Sequence, residues 1–134
     1  MDITLGSLLA DAREARGTVV IIDVFRAFTT AAIAFSRGAD KIVLVAEVEE
    51  ALALRSQGIG DICMGEVDGM RPEGFDLGNS PFEMSHAVVE GKILIQSTRA
   101  GTVGVAAAHN VDRIYAGSLV IADATVRALQ RRSP

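Results

Sequence analysis

The chain has 134 residues, 49% hydrophobic and 22% charged, with a formal net charge of −4. That is one ordinary domain's worth of chain, too rich in aliphatics to be disordered and without the repeats of a collagen-like or low-complexity sequence. No apolar run reaches the ~18–20 residues of a membrane span, the acids and bases mixed through Met1 to Gly17 fit neither a signal nor a transit peptide, and the single Cys63 excludes a disulfide framework or multi-cysteine metal site.

The expectation is therefore one α/β domain over residues 1–134, cytoplasmic and with no membrane partner. Residues 47–90 hold ten acids against two bases, Arg55 and Arg71. Nucleic-acid binding draws most of its affinity from a basic stripe on phosphates, so no nucleic-acid partner is expected. Small anions remain possible ligands, because backbone N–H groups and a few arginines bind them whatever the net charge.

Leu5, Leu8, Leu9 and Ala12 recur at helical spacing before Gly17, which predicts an amphipathic helix over 5–16. The β-branched run from Thr18 to Val24 reads as a strand apolar on both faces, and so as a central strand of a parallel sheet. A helix over 27–37 closed by Gly38, a strand over 41–45, and a helix over 47–57 with acids in its first turn follow. Asp61 to Met64 is the third strand. Periodicity then fails from Gly65 to Ser80, and Ser80-Pro81-Phe82-Glu83 forms a capping box with proline at the first helical position. That helix is expected to reach Glu90. A strand over 92–96, a helix over 102–108, a strand over 113–116 and a helix over 119–132, with Leu119, Ala122, Val126 and Leu129 on its inward face, complete the pattern.

Strands alternating with helices predict right-handed crossovers and a three-layer α/β/α fold around a mostly parallel sheet of about five strands. Ligands bind such sheets beyond the carboxyl ends of the strands. Three of those ends carry polar residues. At the first, Asp23 interrupts an apolar strand, with Arg26, Thr29 and Thr30 entering the next helix. It reads either as a metal ligand or as a cap paired with Arg26. At the second, Gly65-Glu66 opens a loop with Asp76, Asn79 and Ser80, which suits an Mg²⁺ or phosphate cradle or ordinary turn and cap chemistry. At the third, Ser97-Thr98-Arg99-Ala100-Gly101-Thr102 fits an anion-binding turn or a solvated loop, and lacks the spacing of a P-loop. His86 and His109 stand at no ligand spacing, and Cys63 reads as a core residue.

Taken in order, Ile22-Asp23-Val24-Phe25-Arg26-Ala27, Gly65-Glu66, Gly74-Phe75-Asp76-Leu77-Gly78-Asn79-Ser80-Pro81 and Ser97-Thr98 with Gly101-Thr102 resemble the 2-phosphosulfolactate phosphatase family. The resemblance runs from about Thr18 to Ala128. It implies an Mg²⁺-dependent phosphatase that hydrolyses 2-phospho-3-sulfolactate, or a related phosphorylated hydroxy acid, in a step towards coenzyme M. On that resemblance Asp23, Arg26 and Asp76 are the catalytic candidates, and Asp23, Glu66 and Asp76 the Mg²⁺ ligands. Thr29, Asn79, Ser80, Thr98, Arg99, Gly101 and Thr102 are the substrate contacts, with Arg99 meeting a sulfonate or carboxylate.

Two departures stand out. The family pattern Thr-Thr-Asn-Gly-Thr is replaced by Ser97-Thr98-Arg99-Ala100-Gly101-Thr102, without the asparagine. Family members also continue beyond Leu129, so the chain reads as a C-terminally shortened form of a longer phosphatase fold. The alternative expectation is a non-catalytic anion-binding domain or subunit that keeps the pocket. A fifth strand over 113–116 left with an unpaired apolar edge further predicts a twofold homodimer through the C-terminal third.

Overall fold

The computed structural model describes residues 1–132. Among these residues five strands and six helices alternate: α1 Leu8–Glu14, β1 Thr18–Ile22, α2 Ala27–Ser36, β2 Lys41–Val45, α3 Val48–Ser56, β3 Ile62–Gly65, α4 Pro81–His86, β4 Ile93–Ser97, α5 Gly101–Ala107, β5 Arg113–Gly117 and α6 Ala122–Gln130. Every strand pairing is parallel, as strands joined through helices require. The fold is an open α/β sandwich.

The strands form two hydrogen-bonded sets rather than one continuous sheet: β1 with β5, and β2-β4-β3 with β4 in the middle. Helix α5 packs against β1, β2 and β4 and so ties the two sets together. The central position expected for β1 is corrected. Among the described residues β1 pairs with β5 alone, and β4 is the central strand. The apolar run of β1 reports its packing against α5, which is a separate matter from having a neighbour on each edge.

Two cores flank β4. Successive strand residues point to opposite faces, so Leu94 joins Ala34, Met64, Met84 and Val89 beneath α2 and α4. Ile95 joins Val45, Ala51, Cys63 and Phe75 on the α3 side. Leu94 and Ile95 are both fully buried, and each such side chain is worth about 1.5–3 kcal/mol of transfer free energy.

Helix ends follow local chemistry where the sequence supplies it. Ser80 Oγ accepts the Glu83 N–H at 3.1 Å, as the capping box predicts. Glu83 Oε1 accepts from Gly78 N at 2.9 Å, which fastens the incoming loop. Helix α4 stops at His86, short of the expected Glu90, because Ala87 already has an extended backbone, with φ −79° and ψ 150°. The inward face expected for α6 is also corrected. Leu119 and Val126 are exposed, whereas Ile121, Thr125 and Ala128 line an apolar groove with Phe28, Phe35 and Tyr115. Thr125 Oγ1 fixes that rotation by donating to the Ala116 carbonyl at 2.9 Å.

Candidate functional site

The carboxyl ends of the strands bring the polar residues together. Asp23 is the first residue past β1, and its N–H continues the ladder by donating to the Gly117 carbonyl at 3.0 Å. The residue is 8% exposed. Burial pushes the Asp23 carboxyl above the usual aspartate range. The Gly101 N–H pulls it back, the neighbouring Glu66 carboxylate pushes it up again, and the Phe25 N–H pulls it down. Among the described residues no arginine or lysine contributes to this balance. The ion pair with Arg26 considered from sequence is absent among the described residues, whose salt bridges are Arg55–Asp76 and Arg99–Glu47.

Glu66 follows β3 and joins three segments. Its Oε1 accepts from Arg99 N at 2.8 Å and its Oε2 from Gly69 N at 2.9 Å, while its own N–H donates to the Ser97 carbonyl at 3.1 Å. Each carboxylate oxygen keeps lone-pair capacity beyond these bonds. Two glycines make the approach possible. At Gly65, φ is +149°, and a Cβ would lie 1.7 Å from the Ser97 carbonyl oxygen. At Gly101 a Cβ would lie 2.9 Å from Asp23 Oδ2 and 2.9 Å from Ala27 Cβ. The first turn of α5 therefore reaches the Asp23 carboxylate only as bare backbone.

The remaining candidates have distinct placements. Asp76 does not join Asp23 and Glu66: its Oδ2 pairs with Arg55 Nη1 at 2.6 Å and accepts the Cys63 N–H at 2.8 Å. Among the described residues no three His, Cys, Asp or Glu side chains gather as metal ligands. Thr98 and Thr102 are buried and brace each other. Thr98 N donates to Thr102 Oγ1 at 2.8 Å, Thr102 N to Thr98 Oγ1 at 3.2 Å, and Thr102 Oγ1 to the Thr98 carbonyl at 2.9 Å. Arg26 is exposed at the start of α2, where its carbonyl takes the Thr30 hydroxyl at 3.0 Å. Thr29 is half-buried one turn into the same helix, and the Arg99 side chain is half exposed. Ser80 serves as the cap of α4.

Among the described residues three buried side-chain oxygens lack a hydrogen-bond partner: Asn79 Oδ1, Gln96 Oε1 and Ser118 Oγ. They stand in the segment after β3, on β4 and just after β5. Buried polar atoms are nearly always paired, so each calls for an explanation. Sequence reasoning named Asn79 and missed the other two. Gln96 is fully buried and donates through Nε2 to the Ala27 carbonyl at 2.8 Å; an amide inside an apolar strand was its signal. Ser118 could have been found by applying the strand-end rule to the fifth strand.

A family model described as 2-phosphosulpholactate phosphatase matches residues 6–134. The probable 2-phosphosulfolactate phosphatase of Carboxydothermus hydrogenoformans is 42% identical over 106 residues, which cover 79% of this chain and 44% of that protein. The corresponding protein of Thermus thermophilus is 38% identical over 110 residues, covering 81% and 46%. That of Clostridium perfringens strain 13 is 31% identical over 135 residues, covering 97% and 55%. The chain spans about half the length of these relatives. With the strand-end carboxylates in place and this match along almost its whole length, the chain belongs to the 2-phosphosulpholactate phosphatase family.

Proposed function

We propose that the Asp23–Glu66 edge is the metal and phosphate site of an Mg²⁺-dependent phosphatase acting on 2-phospho-3-sulfolactate or a closely related phosphorylated hydroxy acid. The observation that carries this reading is a buried carboxylate, Asp23, set beside a second carboxylate with no cationic side chain among the described residues balancing it. A divalent cation relieves that repulsion. Mg²⁺ commonly takes one or two protein carboxylates and completes its shell with water and substrate phosphate, so the donor set fits. When bound, Mg²⁺ would supply charge neutralisation on the phosphoryl group and acidify a bound water.

The chain's own residues have separate tasks in this proposal. Asp23 and Glu66 hold the cation. The Gly101 N–H orients the Asp23 carboxylate, and the backbone of Arg99 and Gly69 orients Glu66. Arg26 and Thr29, at the start of α2, bind phosphoryl oxygens with the help of the helix N-terminus. Arg99 is placed to meet the second anionic group, a sulfonate in 2-phospho-3-sulfolactate. Asp76 has a structural task, joining the loop to Arg55 and to the backbone of β3. The exposed Leu119, Val120 and Val126 favour a twofold dimer through the C-terminal third, which sedimentation would detect.

The test is release of inorganic phosphate from 2-phospho-3-sulfolactate and from phosphorylated hydroxy acids lacking the sulfonate, with and without Mg²⁺. The proposal expects release that needs Mg²⁺ and is fastest with the sulfonate present. Binding without release would assign this chain a binding role, and release unaffected by Mg²⁺ removal would overturn the metal reading.

A further inference from the structure

Of the three orphaned oxygens, Ser118 Oγ stands just past β5, the strand paired with the β1 that delivers Asp23. Strands β1 and β5 run in register from Thr18 opposite Arg113 to Ile22 opposite Gly117. The bond from Asp23 N to the Gly117 carbonyl closes the Ile22–Gly117 step, so Asp23 and Ser118 are the first residues past the ends of the two paired strands. Ser118 is 4% exposed and its hydroxyl finds no partner. A serine needed only for packing would hydrogen-bond to nearby backbone or give way to alanine, because a buried hydroxyl left unpaired opposes folding.

The three orphans differ chemically. Gln96 Oε1 and Asn79 Oδ1 offer lone pairs and suit a water or a hydrated cation. A hydroxyl also offers a hydrogen, which is what an anionic phosphoryl oxygen takes. We propose that Ser118 is a substrate-contacting residue of the Asp23 site, donating its hydroxyl hydrogen to a phosphoryl oxygen of a phosphate monoester. This inference rests on the reading of Asp23 and Glu66 as the phosphatase site, and it adds β5 to the strands that build it.

The experiment titrates inorganic phosphate calorimetrically, in Mg²⁺ buffer, into the wild-type chain, Ser118→Ala, Ser118→Cys and Asp23→Asn, and records each melting temperature without ligand. Ser118→Ala is expected to melt at or above the wild-type temperature while binding phosphate about tenfold more weakly, the worth of one hydrogen bond. Ser118→Cys, with its weak S–H donor, is expected to fall between them. Asp23→Asn is expected to lose the Mg²⁺-dependent part of binding. Wild-type affinity in Ser118→Ala overturns the inference and leaves the phosphatase reading standing if Asp23→Asn still loses binding. A lowered melting temperature with unchanged affinity in both Ser118 variants assigns the serine to packing and also overturns it. No phosphate binding by the wild-type chain overturns the underlying reading and the inference together.

Discussion

Gly65 and Ser97 pass so closely at the carboxyl ends of β3 and β4 that a Cβ on the glycine would lie 1.7 Å from the serine carbonyl oxygen. That oxygen also accepts the Glu66 N–H at 3.1 Å. The tight crossing thus delivers Glu66 to the edge where Asp23 emerges. Gly65→Ala combines a positive φ with a backbone clash and is expected to cost at least about 3 kcal/mol. Urea unfolding checks this; a loss below about 1 kcal/mol would show that the crossing can relax.

Gly101→Ala tests the other close approach. Its methyl group would press on Asp23 Oδ2 and Ala27 Cβ, each 2.9 Å away. The expected cost is about 1–3 kcal/mol, typical of overpacking, together with loss of any Mg²⁺-induced rise in melting temperature. An alanine variant with a wild-type Mg²⁺ response would separate α5 from the site.

Asp23→Asn tests the sign of the burial effect. The folded-state pKa of Asp23 is raised, chiefly by burial. Its protonated form is therefore favoured by folding, a contribution present below the ordinary aspartate range and lost as pH rises through the folded value. At neutral pH the buried charge opposes folding, so Asp23→Asn is expected to melt higher than wild type without metal. The gap should narrow as pH falls. Thermal scans across acid to neutral pH check this, and a gap that widens towards acid pH would contradict it.

Asp76→Ala should behave in the opposite way. It removes the Arg55 pair and leaves the Cys63 N–H without its acceptor. The Arg55 and Asp76 side chains are 30% and 47% exposed, so the ion pair itself adds little. The expected loss, about 1 kcal/mol, comes mainly from the orphaned N–H. Chemical denaturation measures it, and the Mg²⁺ response should survive.

Much of this was legible because local signals and tertiary structure agreed. The Ser80–Glu83 box, the strand over Lys41–Val45 and the strand-end position of Asp23 follow from patterns within a few residues. Asp76 was less legible, because its Arg55 partner lies 21 residues away on α3, a distance no loop motif reports. The α6 face was misread because counting began at Leu119, three residues before the helix starts at Ala122. A second stripe, Ile121, Thr125 and Ala128, is the one that faces Phe28, Phe35 and Tyr115. Gln96 and Ser118 are visible in the sequence as polar residues within or just past apolar strands, but that their buried oxygens lack partners is a tertiary fact that no local pattern reports.

The most direct test of the account measures Mg²⁺-dependent phosphate release from 2-phospho-3-sulfolactate by the wild-type chain, Asp23→Asn, Glu66→Gln and Asp76→Asn, all confirmed folded. The account predicts that Asp23→Asn and Glu66→Gln fall by at least about a hundredfold, as when groups that stabilise transition-state charge are removed, while Asp76→Asn stays within a few-fold of wild type. Full activity in Asp23→Asn, or its loss in Asp76→Asn alone, would contradict it.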